Sequence, residues 1–139
     1  LRLSYRKPNE FLHCMLDVLA GVYFLQDKGY ERVALVDHSF GGAVVIAAAP
    51  LSDAVVTVVG LASQTYGAQF ANKVSPRPLL LVHGEDDTRL GPHCSKFIND
   101  IAEEPKKLVL YPGAGHSLRE CRDELHLLLK NWLLEKLEG

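Results

Sequence analysis

The feature of this chain that most constrains its fold is the regular alternation of amphipathic helical segments with short aliphatic runs. The aliphatic runs occupy residues 32–36, 54–59, 79–82 and 107–111, and the second of them is rich in β-branched residues. They are almost continuously apolar, which is typical of strands that helices cover on both faces. Strands that alternate with helices form parallel sheets with right-handed crossovers. We therefore expect one α/β domain over residues 1–139, a three-layer sandwich with a short parallel sheet of about four strands.

Helical periodicity fills the segments around these runs. Apolar residues recur at helical spacings from Phe11 to Val22, and Gly29 stands where that helix would end. Small residues at 43–49 favour a second helix, which Pro50 stops. Further helices are predicted at 68–73, at about 91–102 and at 118–137. The last of these gathers its largest apolar side chains on one broad face: Leu125, Leu128, Leu129, Trp132 and Leu133.

The composition is that of an ordinary globular domain and argues against several classes of partner. Of the 139 residues, 47% are hydrophobic and 23% are charged, which is near the average for folded domains. With 15 basic and 17 acidic residues, the net charge of −2 gives no footprint for nucleic acid or an anionic membrane. The cysteines, Cys14, Cys94 and Cys121, form no CxxC pair. This usage predicts free thiols in a cytoplasmic protein.

Reactive side chains follow three of the four predicted strands. The three sequences are Asp37-His38-Ser39-Phe40-Gly41, His83-Gly84-Glu85-Asp86-Asp87 and Gly113-Ala114-Gly115-His116-Ser117. The carboxyl ends of parallel strands meet at one edge of a sheet, where functional groups gather. A serine becomes a nucleophile when an imidazole takes its proton and a carboxylate orients that imidazole. The sequence therefore predicts a triad of Ser39, His116 and one of the carboxylates at 85–87.

Taken together, the three motifs resemble those of the α/β-hydrolase superfamily. The turn at Ser39 is similar to the nucleophile elbow, His83-Gly84-x-x-Asp87 to the acid loop, and Gly113-x-Gly-His116 to the histidine loop. The resemblance covers essentially the whole chain and is to the C-terminal portion of the family, closest to small, lidless enzymes such as dienelactone hydrolases and short-acyl esterases. It implies that Ser39 is the nucleophile, His116 the base and Asp87 the acid. It also implies that the N–H of Phe40 donates to the oxyanion.

The sequence departs from the family pattern at two points. Asp37 stands where the elbow has glycine, so we expect its carboxylate to strain the turn or to place an extra charge near the histidine. The nucleophile also follows the first predicted strand rather than the fifth. The chain is therefore expected to lack the family's N-terminal strands and the loop that supplies a second oxyanion donor.

Each candidate residue also has a structural alternative. Ser39 could be a helix N-cap, and His116 could be a structural loop residue. His83, His93 and Asp87 lack the helical spacing or paired-cysteine pattern of a metal-ligand set, so we expect neither a metal nor another cofactor. Cys94 lies near the acid loop without a base in a recognised turn, which favours an inert thiol.

The sequence thus predicts a serine hydrolase that acts on small carboxylic esters, thioesters or lactones. The strand-end residues His38, Ser63, Gln64 and Tyr66 are predicted to line the substrate site. The segment at 60–77 is too short for a lid domain, so we expect an open site.

The alternative is a catalytically impaired module that assembles with other copies of itself. The strand that contains Val33 and Val36 is internal in the family, and here the strand beside it is missing. A bare apolar edge recruits another chain. We therefore expect a homo-oligomer formed through this strand.

Overall fold

The computed structural model describes all residues, Leu1–Gly139, and contains one four-stranded parallel sheet in the order β1-β2-β3-β4. The strands are β1 (Val33–His38), β2 (Val55–Leu61), β3 (Leu79–Gly84) and β4 (Lys106–Tyr111). The helices are α1 (Phe11–Asp27), α2 (Phe40–Ala48), α3 (His93–Ile101) and α4 (Arg122–Glu138). The prediction of four parallel strands is confirmed, and each strand pairs with the next one along the chain.

The sheet is covered on both faces, as predicted. Leu79 and Leu81 of β3 pack into a core with α1, α2 and Ile98 of α3. Leu80 and Val82 point the other way and pack against α4, because successive side chains of a strand alternate between its faces. The five apolar residues predicted on one face of the last helix all pack in this second core. None of the helices has the length and apolar character needed to cross a membrane.

Two predicted helical segments differ in the structure. The short helix expected at 68–73 is one 3-10 turn, Ala71–Lys73. So short a segment forms too few hydrogen bonds to offset the unfavourable free energy of nucleating an α-helix. The last helix begins at Arg122 rather than at Leu118. Leu118 has a φ of 58°, a left-handed conformation that a right-handed helix cannot contain, and a 3-10 turn (Arg119–Cys121) follows it.

β1 lies at the edge of the sheet, and residues 1–9 cross it without pairing with it. No backbone hydrogen bond joins this segment to β1. Side chains hold it instead: Arg6 donates to Asp17 of α1 from its backbone N–H and from Nε, and the Tyr5 hydroxyl donates to Asp37. A cavity of about 420 Å³ remains between residues 1–5 and β1, and Val36 is 39% exposed there.

Candidate active site

Ser39 occupies a tight turn between β1 and α2. It is the single residue between the two elements and has φ 59° and ψ −118°, a strained conformation for a residue with a side chain. Its N–H donates to the carbonyl of Leu61 at 2.8 Å, and its carbonyl accepts from Gly42 at 3.1 Å and Gln64 at 3.3 Å. Its side chain makes no capping hydrogen bond to α2, so the structure does not support the N-cap alternative.

The Ser39 hydroxyl belongs to a hydrogen-bonded series with His116 and Asp87. Ser39 Oγ lies 3.1 Å from His116 Nε2, and His116 Nδ1 lies 2.7 Å from Asp87 Oδ2. An ionised carboxylate only accepts hydrogen bonds, so Nδ1 carries the proton and Nε2 is free to accept from the serine. The structure therefore brings together the three residues that the sequence singled out, with His116 between Ser39 and Asp87.

Asp87 is held as an anion by hydrogen bonds from four directions. Its Oδ1 accepts the N–H groups of Arg89 and Leu90, both at 2.9 Å, and its Oδ2 accepts from His116 and His83. Burial alone would raise the pKa of this carboxyl, but the hydrogen bonds from His116 and from the two backbone groups hold the pKa below its ordinary value. The neighbouring carboxylates, at 85 and 86, are both exposed and make no ion pair with His116.

His83 is the site residue whose role the sequence did not indicate. Its side chain is fully buried, with Nε2 at 2.7 Å from the Leu90 carbonyl and 3.1 Å from Asp87 Oδ2. Both partners are acceptors, so Nε2 carries the proton and Nδ1 accepts the Ser95 hydroxyl at 2.6 Å. The signal that could have found it is its position four residues before Asp87 at the end of a buried strand.

The expected strain is absent from the φ of Asp37 itself, whereas an extra charge near the histidine stays a prediction. Asp37 has no positive φ, and it makes no ion pair with either neighbouring histidine. Its carboxylate accepts the Tyr5 hydroxyl at 2.5 Å and the His38 N–H at 2.8 Å. Space for it exists because residue 41 is glycine: a Cβ at Gly41 would overlap the Asp37 carboxyl group.

Three of the predicted substrate-site residues make contacts within the protein. His38 Nε2 lies 2.7 Å from the His116 carbonyl, and the two rings are 4.7 Å apart, so His38 braces the histidine loop. Ser63 is fully buried beneath α2, and its hydroxyl donates to the Gln64 carbonyl. Because no ligand could reach it there, the prediction for Ser63 is wrong. Gln64 donates from Nε2 to the carbonyl of Tyr66.

Tyr66 and Phe40 belong to a short series of aromatic rings beside the turn. Tyr66 is 73% exposed, and its ring meets Phe11 edge-on at 6.1 Å, while Phe11 meets Phe40 at 5.8 Å. The N–H of Phe40 is the first of α2, so the helix itself offers it no acceptor. Substrate contact by His38, Gln64 and Tyr66 stays a prediction.

The thiol nearest to the acid loop is poorly suited to act as a nucleophile. Burial and the charge of Asp87 raise the pKa of Cys94. A raised pKa disfavours the thiolate, which is the reactive form. Cys14 and Cys121 are likewise buried free thiols.

Comparisons with known proteins show what this chain is similar to in sequence and in fold. No protein-family model matches the chain. Over 48 residues, 34% of this chain and 15% of the relative, it is 46% identical to a monoglyceride lipase of Saccharomyces cerevisiae. The chain thus matches only a small part of that relative's length.

Solved structures cover the chain more fully. A dienelactone hydrolase from Anabaena variabilis superposes with a TM-score of 0.83 at 19% identity, over 91% of this chain and 61% of that one. An α/β-hydrolase enzyme from a lagoon-sediment metagenome gives a TM-score of 0.77 at 19% identity, over 96% and 76%. The chain has the α/β-hydrolase fold, and its resemblance to the α/β-hydrolase superfamily is confirmed.

Proposed function

We propose that this chain is a serine hydrolase that acts on small carboxylic esters, thioesters or lactones. The observation that carries the proposal is the unbroken hydrogen-bonded series from the Ser39 hydroxyl through the His116 ring to the Asp87 carboxylate. The names of the similar proteins point the same way, since they are a lipase, a dienelactone hydrolase and an α/β-hydrolase enzyme.

In the proposed reaction, Ser39 Oγ attacks the acyl carbon while His116 Nε2 takes the hydroxyl proton. The N–H of Phe40 donates to the oxyanion that forms on the carbonyl oxygen. His116 then gives its proton to the departing alcohol, thiol or lactone oxygen as the acyl bond breaks. Water, deprotonated by His116, releases the acid from Ser39. Asp87 remains ionised throughout and stabilises the imidazolium.

A fluorophosphonate probe and short p-nitrophenyl esters test the proposal. We expect the probe to modify Ser39, as read by peptide mass spectrometry, and Ser39→Ala to abolish both modification and ester hydrolysis. Asp87→Asn should lower the hydrolysis rate by roughly 10⁴, because the base then takes the wrong tautomer. Ser117→Ala is the matched control, since Ser117 is an exposed serine next to His116. A folded wild-type chain that neither hydrolyses the esters nor reacts with the probe contradicts the proposal.

The open edge of β1 supports a second candidate function, self-association. We propose that two copies associate through this edge. Residues 33, 35 and 37 of a parallel strand turn their N–H groups towards β2, which leaves those of Ala34 and Val36 on the open side. Unpaired strand edges of this kind pair readily with other strands.

Light scattering coupled to size-exclusion chromatography tests the association. We expect a dimer or a higher assembly for the wild type and a monomer for Val36→Lys, because a charge on the edge opposes pairing. Leu127→Lys is the matched control, since Leu127 is 60% exposed on α4 and does not line the cavity beside β1. A wild-type chain that stays monomeric at high concentration refutes the association.

A further inference from the structure

Asp37 connects the nucleophile turn to the first residues of the chain. Its side chain lies on the face of β1 that packs against α1 and α2, where Val33 and Leu35 are also buried. One carboxylate oxygen accepts the His38 N–H and the other accepts the Tyr5 hydroxyl, 32 residues away in sequence. The carboxylate is therefore held at two points, one of them in the peptide that leads directly into Ser39.

The shape of the turn is matched to this carboxylate. A Cβ at Gly41 would overlap the carboxyl carbon and both oxygens of Asp37, so the first turn of α2 packs directly on the carboxylate. Any change in the direction of this side chain would push against the start of α2 or break the bond to His38. The turn itself holds Ser39 in a strained conformation, which surrounding contacts must maintain.

The hydrogen bond from Tyr5 to Asp37 is not needed to anchor residues 1–9. That segment has its own anchor, because Arg6 makes a backbone and a side-chain hydrogen bond to the buried carboxylate of Asp17. Burial and the bond to Asp37 raise the pKa of Tyr5, so its hydroxyl keeps the proton that it donates. Tyr5 thus fixes which way the Asp37 carboxylate faces.

We propose that Tyr5 and Asp37 form a positioning pair that orients Ser39 and His116 for reaction. The proposal rests on the proposed function, in which Ser39 is the nucleophile. Neither residue touches the reacting atoms. Asp37 fixes the peptide of His38, which leads into Ser39 on one side, while the His38 ring holds the carbonyl of His116. Through His38, the pair therefore influences the positions of both Ser39 and His116, whose Oγ and Nε2 atoms lie 3.1 Å apart.

Kinetics of Ser39 modification separate positioning from simple support of the fold. At saturating fluorophosphonate, Asp37→Ala should lower the rate constant by about 100-fold and Tyr5→Phe by a smaller factor, since misplacement by about 1 Å has that effect. The concentration for half-saturation should not change. Asp37→Asn should keep most of the rate, because its amide still accepts from His38 and can donate to the Tyr5 oxygen. Tyr23→Phe is the matched control, as Tyr23 is exposed on α1.

Loss of rate in Asp37→Ala without loss in Asp37→Asn or Tyr23→Phe supports the pair. A rate that is unchanged in Asp37→Ala, or raised in Asp37→Gly, overturns it. So does an equal loss in Tyr23→Phe.

A stability cycle tests the packing of Asp37, one member of the pair, against the turn without requiring any reaction. Gly41→Ala should destabilise the wild-type chain, and Asp37→Gly in the same chain should remove most of that loss, because the overlap is with the Asp37 carboxyl group. Equal losses from Gly41→Ala in both backgrounds overturn the pair. A folded wild-type chain that is not modified at Ser39 contradicts the hydrolase function alone, and the cycle then decides whether Asp37 holds the turn.

Discussion

Replacement of His83 by leucine should remove a hydrogen bond that supports Asp87 from a buried position. His83 is fully buried and is bonded on both sides of its ring. Leucine has a similar volume but no polar atoms, so the change leaves the Ser95 hydroxyl and the Leu90 carbonyl without this partner. It also removes one of the four hydrogen bonds that Asp87 accepts.

The expected loss of stability follows from these contacts. Each buried polar group left unpaired is destabilising by about 1–3 kcal/mol, and a hydrogen bond to a charged group contributes about 1.5–3 kcal/mol. Leu90 is only partly buried, so water can satisfy its carbonyl. The unpaired Ser95 hydroxyl and the lost bond to Asp87 together predict a fall of about 2.5–6 kcal/mol in the free energy of unfolding for His83→Leu.

Ser95→Ala is the diagnostic partner of this change. In the wild type it leaves Nδ1 of the buried ring without a donor, which should lower stability by about 1–3 kcal/mol. In the His83→Leu background the hydroxyl is already unpaired, so its removal should be neutral or stabilising. Urea unfolding followed by fluorescence measures both, because Trp132 is the chain's one tryptophan and packs in the core beneath α4. Equal losses in the two backgrounds would refute the tautomer and the network assigned to His83.

Three further predictions concern acid, packing and a helix end. The pKa of Asp87 is lowered by folding, so its contribution to stability is present above its ordinary pKa and is lost as the pH falls through the folded value. Asp87→Asn should therefore flatten the decline in unfolding free energy below about pH 5. Gly84→Ala should destabilise by about 2 kcal/mol or more in urea unfolding, because its Cβ would overlap the Ala114 carbonyl. Arg32→Ala should lower thermal stability by about 0.5–1 kcal/mol, because Arg32 bonds carbonyls at the C-terminus of α4.

The aliphatic runs were sufficient to predict the strands, but not where the strands end. β3 was expected to stop at residue 82, yet His83 and Gly84 still pair with β4. Similarly, Asp37 and His38 belong to β1 although both are polar. Hydropathy patterns report where side chains prefer to be, whereas a strand continues as long as its backbone finds partners. Polar residues that end a buried strand are therefore inside the sheet, and here those residues build the site.

The part of the site that the sequence did not predict depends on contacts between distant residues. Ser39, Asp87 and His116 were found because each follows a strand in a recognisable local motif. The accommodation of Asp37 needs Tyr5, 32 residues earlier, and the burial of Ser63 needs α2 to pack directly above it. No local spacing encodes either contact. Whether a residue that departs from a motif disrupts the site therefore cannot be predicted until the neighbours of its side chain are known.

Tyr5 lies beside both unusual features of this chain, the open edge of β1 and the Asp37 carboxylate. A strand that pairs with β1 would enter the cavity between residues 1–5 and the strand, where Tyr5 and Asp37 both form part of the lining. If the entering strand breaks the hydrogen bond from Tyr5 to Asp37, association of the wild type loses the free energy of that bond. A variant that already lacks the bond should then associate more tightly by the same free energy, since such couplings are reciprocal.

A hydrogen bond of this kind contributes about 1 kcal/mol, and a dimer formed through two β1 edges breaks one in each copy, so Tyr5→Phe should tighten self-association about 30-fold while it slows modification of Ser39. Sedimentation equilibrium measures the first effect and probe kinetics the second. An association constant that Tyr5→Phe leaves unchanged would show that the edge and the elbow are independent.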